Sequence, residues 1–261
     1  MNKIVKYILA LSLTILGLSS VSAQSAFRVM SMNIREGGER ASYKSKPFAD
    51  CINEYKPDFV CLQEVDNKTN RNGKRDWLNE VAMQTGMFPL FVKSMDYRDG
   101  GFGVAILSKY PFYKSGYIIS TFPITNGKKV EPRGTGYIYV MLPDGQPLRV
   151  IFTHLALGMD NIKKNIADIN TYILEQDLDT PSLLLGDMNC DEGTSASNYL
   201  LATWQDLGYQ TGKTFPVDKL EQRIDYITGY PKRTFARTDF QVVAHPELSD
   251  HCFIIADLKI K

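Results

Sequence analysis

Three shortages narrow the reading at once. The 261-residue chain has only three histidines and four cysteines. Cys51, Cys61, Cys190 and Cys252 stand apart and match no zinc-binding spacing. With so few histidines, a zinc site of the usual kind is excluded. Charge of one sign is also missing: 30 Lys and Arg face 29 Asp and Glu, a formal +1. A protein that grips nucleic acid through many phosphates is usually clearly basic. A nucleic acid partner is therefore not favoured. Finally, the apolar run Ile8 to Leu18, "ILALSLTILGL", is too short to span a membrane easily.

What is there at the start reads as an export signal. Lys3 and Lys6 precede the apolar run, and "SSVSA" follows it, with small residues at Ser22 and Ala23. That is the pattern of a signal peptide over residues 1–23, cleaved after Ala23. No cysteine stands near the cleavage point, which argues against a lipid anchor. The expectation is an exported protein, periplasmic or extracellular, with residues 24–261 as one domain. Removing two lysines takes the formal charge from +1 to −1. Export would permit disulfides. Cys61, inside the apolar stretch "FVCLQEV", is expected to be a buried free thiol.

The body of the chain has 44% hydrophobic residues, enough for a sizeable core. Strand patterns recur at Phe27–Asn33, Phe59–Val65, Gly101–Tyr110, Gly134–Pro143 and "PLRVIFTHLAL", with Asp144-Gly145 as a hairpin turn. Helices are expected around Pro47–Tyr55, Trp77–Thr85 and Ala196–Leu207. Asn161–Leu174 carries Ile162, Ile166, Ile169 and Ile173 along one helical face. Further strands are expected at "PSLLLGDMN", Arg223–Thr228, Asp239–Ala244 and Cys252–Ile260. Such mixed strands and outer helices predict two packed sheets flanked by helices.

Polar residues collect where these strands end. Asn33, Glu64, His154, Asp187, Asn189 and Asp225 end or interrupt strands, and Asp250-His251 opens the last one. Singly each has an ordinary reading: a turn asparagine, a solvated carboxylate, a surface pair of Asp225 with Arg223, a core histidine. As a set they suit phosphoryl transfer. A hard divalent cation such as magnesium takes a few oxygen ligands and keeps several waters. Glu64, helped by Asp250 and the Asn33 amide oxygen, fits that need. Asp187 can orient or deprotonate a water, and Asn189 can hold it. His154 and His251 can donate to phosphate oxygens, and Asp225 would fix the tautomer of His251 and favour its charged form.

Eight segments then run in a familiar order: "VMSMNIR", "VCLQEVD", "GVAILSKYP", "EPRG", "IFTHL", "LLLGDMN", "RIDYI" and "SDHCFI". In this order the sequence resembles the endonuclease/exonuclease/phosphatase superfamily, whose fold is that of deoxyribonuclease I. The resemblance implies an α/β fold, a four-layered α/β/β/α sandwich of two mixed β-sheets with its site at one edge. It implies Glu64 as principal metal ligand, with Asn33 and Asp250 beside it, and magnesium as the metal, with manganese as the alternative. It implies Asp187 and Asn189 acting on water and phosphate, His251 paired with Asp225, and His154 on the phosphate. Gln63 is the usual neighbour of the metal-binding glutamate, and Arg133 in "EPRG" matches a basic position near the phosphate. One departure stands out: where the apurinic-endonuclease branch has an acid two positions after the asparagine, this chain has Arg35. The run Asp66–Asp76, "DNKTNRNGKRD", reads as a solvated turn from which Arg71 or Lys74 could reach the substrate.

The function expected is an exported, metal-dependent phosphoesterase, foremost a phosphodiesterase for a small or lipid phosphodiester. A secreted nuclease is the alternative, and a non-catalytic binder of phosphorylated ligands the third reading. A monomer without stable membrane insertion is expected. Loops 66–76, 94–101 and 121–133 should shape the substrate pocket.

Overall fold

The computed structural model of the protein describes residues 26–122 and 129–261. The expected signal peptide and part of the 121–133 loop lie outside the described residues. Among the described residues, twelve strands form two six-stranded sheets. The first sheet holds β1 (Ala26–Asn33), β2 (Phe59–Asn67), β3 (Phe88–Tyr97), β4 (Gly100–Ser108), β11 (Phe235–Val243) and β12 (Phe253–Ile260), in the order β11-β12-β1-β2-β4-β3. The second holds β5 (Phe112–Ser120), β6 (Arg133–Met141), β7 (Pro147–His154), β8 (Ser182–Asp187), β9 (Gln205–Asp206) and β10 (Asp225–Tyr230), in the order β5-β6-β7-β8-β10-β9.

Alternation along each strand sorts the side chains between layers. Val29, Phe59, Cys61 and Ile254 of the first sheet meet Val150, Phe152, Leu183 and Leu185 of the second in a dry central layer. The opposite face of the first sheet, with Met30, Met32, Val60 and Leu62, is covered by helices Lys46–Tyr55 and Trp77–Thr85. The opposite face of the second, with Ile151, Leu184 and Tyr226, is covered by helices Met159–Ile169 and Ser195–Thr203. The result is the expected four-layered sandwich. Since both faces of the central strands are buried, runs such as "LLL" in β8 read as continuous rather than alternating.

Local chemistry sets the boundaries. Asp144-Gly145 closes the β6–β7 hairpin, with Gly145 at φ 84° and the Asp144 carboxylate accepting from the Gln146 N–H at 3.1 Å. Ile162, Ile166, Ile169 and Ile173 are all buried, as their stripe predicts. The helix expected through Leu174 changes character at Ile169, however, and Asn170–Leu174 is a wider π turn. Buried Arg149 reaches it from β7 and donates to the Ile173 and Asp177 carbonyls, each at 2.8 Å. The helix expected to reach Leu207 stops at Thr203, and residues after Trp204 pair as β9 against β10. The 94–101 segment is less a loop than a hairpin, the end of β3 and the start of β4.

Two parallel pairs place the site. β1 runs parallel to β2, and β7 parallel to β8. A crevice outside the carboxyl ends of such strands is the usual ligand position in α/β sheets. Here Asn33 and Glu64 come to that edge from one sheet, His154 and Asp187 from the other.

Candidate active site

Register builds a row of polar side chains. His154 pairs with Asp187 across β7–β8, and Asp187 pairs with Asp225 across β8–β10. In-register neighbours project from the same face, so three polar side chains stand abreast. That face is the one that carries Leu183 and Leu185 into the central layer. The apolar layer thus turns polar at its last row. Gly186 makes the close approach workable: with φ 149°, a Cβ there would lie 2.0 Å from the Thr153 carbonyl oxygen.

The first sheet supplies the facing half. Asn33 ends β1 on the same inward face as Val29. Glu64 would fall on the wrong side of β2 in a regular ladder. The register shift between Leu62 and Val65 and the left-handed φ of 63° at Glu64 re-aim it toward the cleft. Arg35, Glu36, Gly37 and Gly38 follow β1 with φ of 55°, 44°, 75° and 85°. In this turn the Glu36 N–H donates to Glu64 Oε2 at 2.6 Å. Successive left-handed residues turn their N–H groups inward, an arrangement suited to anions. Asn33 Nδ2 joins the two halves, donating to Glu64 Oε1 at 3.2 Å and to Asp187 Oδ2 at 3.0 Å.

His251 closes the ring. Its Nδ1 lies 3.0 Å from Asp225 Oδ2 and its Nε2 3.7 Å from Asp187 Oδ2. Burial works most strongly against a charged ring here, but the Asp225 carboxylate beside it and those of Asp187 and Asp250 together outweigh burial. The His251 pKa is held up to about 10. An imidazolium has two donors, so Nδ1–H points to Asp225 and Nε2–H into the cleft. Phe215 covers the ring at a centroid distance of 4.7 Å. Asp187 behaves oppositely: burial and the nearby Asp225 charge raise it to about 7, against the pull of His251, the Asn189 N–H and the Asn33 amide. His154, whose Nε2 is 3.4 Å from Asp187 Oδ2, is kept neutral by burial, with Arg133 and His251 adding repulsion. Asn189 sits at φ 50° and donates its N–H to Asp187 Oδ1 at 2.9 Å. Its amide nitrogen is spent on the Leu155 carbonyl at 2.8 Å, which leaves its oxygen for the cleft.

The remaining expected residues lie around this core. Arg133 lines the cleft beside His154, with Nη1 3.3 Å from Glu131 and Nε buried without a partner among the described residues. Arg71 lines an adjoining hollow, but its guanidinium is held by Asp66 at 2.7 Å and Glu36 at 3.0 Å and stacks on Tyr97. The Asp66–Asp76 run is no solvated turn: Asp66, Thr69 and Asn72 are buried and bond one another. Gln63 is buried against Ser31 and Cys61. Arg223 pairs with Asp206 at 2.6 Å, so the surface pair with Asp225 does not form. Two contributors had no assigned role from sequence. Ser249 Oγ donates to the Asn33 carbonyl at 2.6 Å and accepts the His251 N–H at 3.1 Å, tying the two strand ends together. Arg35, noted only as a departure, makes an ion pair with Asp250.

The sequence model of the Endonuclease/Exonuclease/phosphatase family matches residues 30–251. The chain belongs to this family. It is therefore a phosphoric ester hydrolase, and the family's chemistry uses a divalent metal. Solved structures agree in fold. A family member from Bacteroides vulgatus is 20% identical, with a TM-score of 0.74 over 91% of this chain and 100% of that one. A mannosyl-6-phosphatase from Bacteroides thetaiotaomicron is 17% identical, with a TM-score of 0.71 over 89% and 99%. The human Nocturnin catalytic domain is 18% identical, with a TM-score of 0.71 over 90% and 94%. No curated protein matches the chain.

The donor set suits such a metal. Glu64 offers carboxylate oxygens at the cleft, and Asp250 Oδ1 is buried with no partner among the described residues. Hard oxygen donors without sulfur favour magnesium or manganese over softer metals. Asp187, Asp225 and His251 also bring one ligand atom each within 4.8 Å of one another. The His251 ring faces a carboxylate on each side, Asp225 at Nδ1 and Asp187 at Nε2.

Proposed function

We propose that the chain is a divalent-metal-dependent phosphodiesterase, exported and monomeric, that hydrolyses a small or lipid phosphodiester. One observation carries the preference for a diester. Two hollows, of about 170 and 450 Å³, meet at Glu64, Arg133 and His154. The smaller runs to Arg71, Met95, Tyr97 and Glu131, so residues from all three expected pocket loops line it. The larger runs over the catalytic row to Leu157, Met159, Phe215 and Ile224. A phosphate held where they meet has room for a substituent on each side, as a diester requires. Leu157 and Met159 are 64% and 42% exposed at the outer lip, suiting an apolar substituent.

The chain's groups divide the work. Asp187, raised toward neutrality, takes a proton from water while the water oxygen bonds to phosphorus. The Asn189 oxygen holds that water. His251 Nε2–H and the Arg133 guanidinium donate to phosphate oxygens as charge builds. The bond to the alcohol oxygen breaks on the opposite face, the leaving oxygen takes a proton from solvent water, and Asp187 returns its proton to solvent. A cation at Glu64, with Asp250 and Asn33 beside it, would add charge neutralisation. The near-neutral chain counts against nucleic acid as the substrate.

The test compares bis(p-nitrophenyl) phosphate with p-nitrophenyl phosphate under magnesium, manganese and EDTA. Faster diester cleavage that EDTA abolishes is expected. A monoester preference would overturn the diester reading, and faster cleavage of DNA than of lipid or small diesters would replace it with the nuclease.

A further inference from the structure

We infer that Thr214 is a positioning residue: from a loop lying between the two sheets it fixes Asp225 and His251 within hydrogen-bonding distance of one another. The role rests on the phosphoesterase reading above, in which that pair serves the reacting phosphate. Asp225 begins β10 in the second sheet, and His251 stands two residues before β12 in the first. Their 3.0 Å contact therefore spans two separately built halves. A drift of about 0.5 Å would carry it out of hydrogen-bond range. Strand pairing does not prevent that drift, because β10 and β12 belong to different sheets.

Thr214 bridges the gap with both of its oxygens. Its side-chain Oγ1 accepts the Ile224 and Asp225 N–H groups, each at 3.2 Å. Its carbonyl accepts the Cys252 N–H at 2.7 Å. One residue thus holds the backbone of Asp225 on one side and that of the residue after His251 on the other. The loop keeps Thr214 in place. Thr214 and Phe215 both donate their N–H to the Gln222 carbonyl, at 2.8 and 3.0 Å, and the Val217 N–H donates to the Asp250 carbonyl at 2.7 Å. Phe215, next in sequence, lies on the His251 ring. Thr214 itself is 1% exposed and does not line the cleft, so it acts through the pair and not on the substrate.

Thr214→Val keeps the shape of the side chain and removes the acceptor, whereas Thr214→Ser keeps the acceptor. With bis(p-nitrophenyl) phosphate, the valine variant should lose about tenfold in kcat at unchanged KM, because small misplacements of reacting groups cost rate. The serine variant should stay within about threefold of wild type. In a double-mutant cycle with Asp225→Asn, the valine substitution should cost nothing further, as expected of residues that act as one unit. A folded valine variant that turns over within about twofold of wild type would overturn the inference. So would a valine loss that adds in full to that of Asp225→Asn, or one that the serine variant shares. Amide hydrogen exchange separates this role from the phosphoesterase reading, since it needs no turnover. The Asp225 N–H should exchange at least about tenfold faster in Thr214→Val than in wild type or Thr214→Ser, because its acceptor is gone. Equal exchange in all three removes the clamp even if the diester is cleaved, and faster exchange in the valine variant alone supports it even if the diester is not. Thr214→Ala carries the same comparisons should the valine variant fail to fold.

Discussion

Replacing Asp225 by Asn would test the electrostatics of the site through one atom pair. The two side chains have the same shape, so packing at this fully enclosed position is kept. What is lost is the charge 3.0 Å from His251 Nδ1. Against burial, that charge is the main reason the ring holds its proton to about 10. With burial then opposed only by Asp187 and Asp250, the His251 pKa should fall by at least about two units, and each unit is worth about 1.4 kcal/mol. The hydrogen bond to Asp225 is charge-assisted, worth ~1.5–3 kcal/mol, so kcat should drop about ten- to a hundredfold at pH 7. The alkaline limb of the pH–rate profile should move acidward by about two units. Stability follows the same linkage. A pKa raised by folding contributes stability that is full below about 6.5, the unfolded value, and is lost as pH rises through about 10. The melting-temperature gap between wild type and variant should therefore be widest at pH 5–6 and close above pH 10. A histidine NMR titration alongside kinetics would decide. If kcat stays within threefold and the His251 titration does not move, the pairing has no role in catalysis.

Glu64→Gln should cost roughly a thousandfold or more in metal-stimulated kcat and abolish the tightest Mn²⁺ site, as expected for loss of a principal ligand; calorimetric titration that still finds that site would refute its assignment. Gly186→Ala should destabilise by about 3 kcal/mol or more, because the new methyl would lie 2.0 Å from the Thr153 carbonyl. For a chain this size that is a melting shift of roughly 6–12 °C, and a shift under 2 °C would mean β7 and β8 separate easily. All four cysteines are free and buried, with burial raising Cys51, Cys61 and Cys190 to about 12. Ellman's reagent should find no fast thiol in the native protein and four after denaturation; a thiol reacting within seconds would contradict the burial.

The frame was legible in sequence because its central strands are unambiguous. "FRVMSMN", "FVCLQEV" and "LLLGDMN" are apolar on both faces and end in polar groups, and each became a strand at the site. The edge strands were harder. β3 is half exposed, carries Pro89, Lys93 and Asp96, and has no clean period to read. β9 is two residues long and exists only because β10 lies beside it. In the site, residue types announced the set, but partners did not. Arg35 was visible as an oddity, yet the carboxylate that explains it lies 215 residues away in sequence. The aim of Glu64 depends on a bulge, which no residue type signals. Arg71 was read by its charge, whereas buried Asp66 and nearby Glu36 already hold it.

Each sheet carries half of the machinery. Asn33, Glu64, Asp250 and His251 belong to the first, and His154, Asp187, Asn189 and Asp225 to the second, with Asn33–Asp187 and His251–Asp225 as the bonds across. β1 and β12, the outermost of the described segments in sequence, are neighbours in one sheet. Neither sheet alone contains the whole candidate site, and the first sheet is finished only when β12 joins β1. Catalysis in this chain is thus a reporter of a late folding event. Recovery of turnover during refolding should track the closing of the two sheets upon each other and lag behind the appearance of secondary structure. Any lesion that lets the sheets slide by a single residue should silence the enzyme while leaving most of its backbone hydrogen bonds in place.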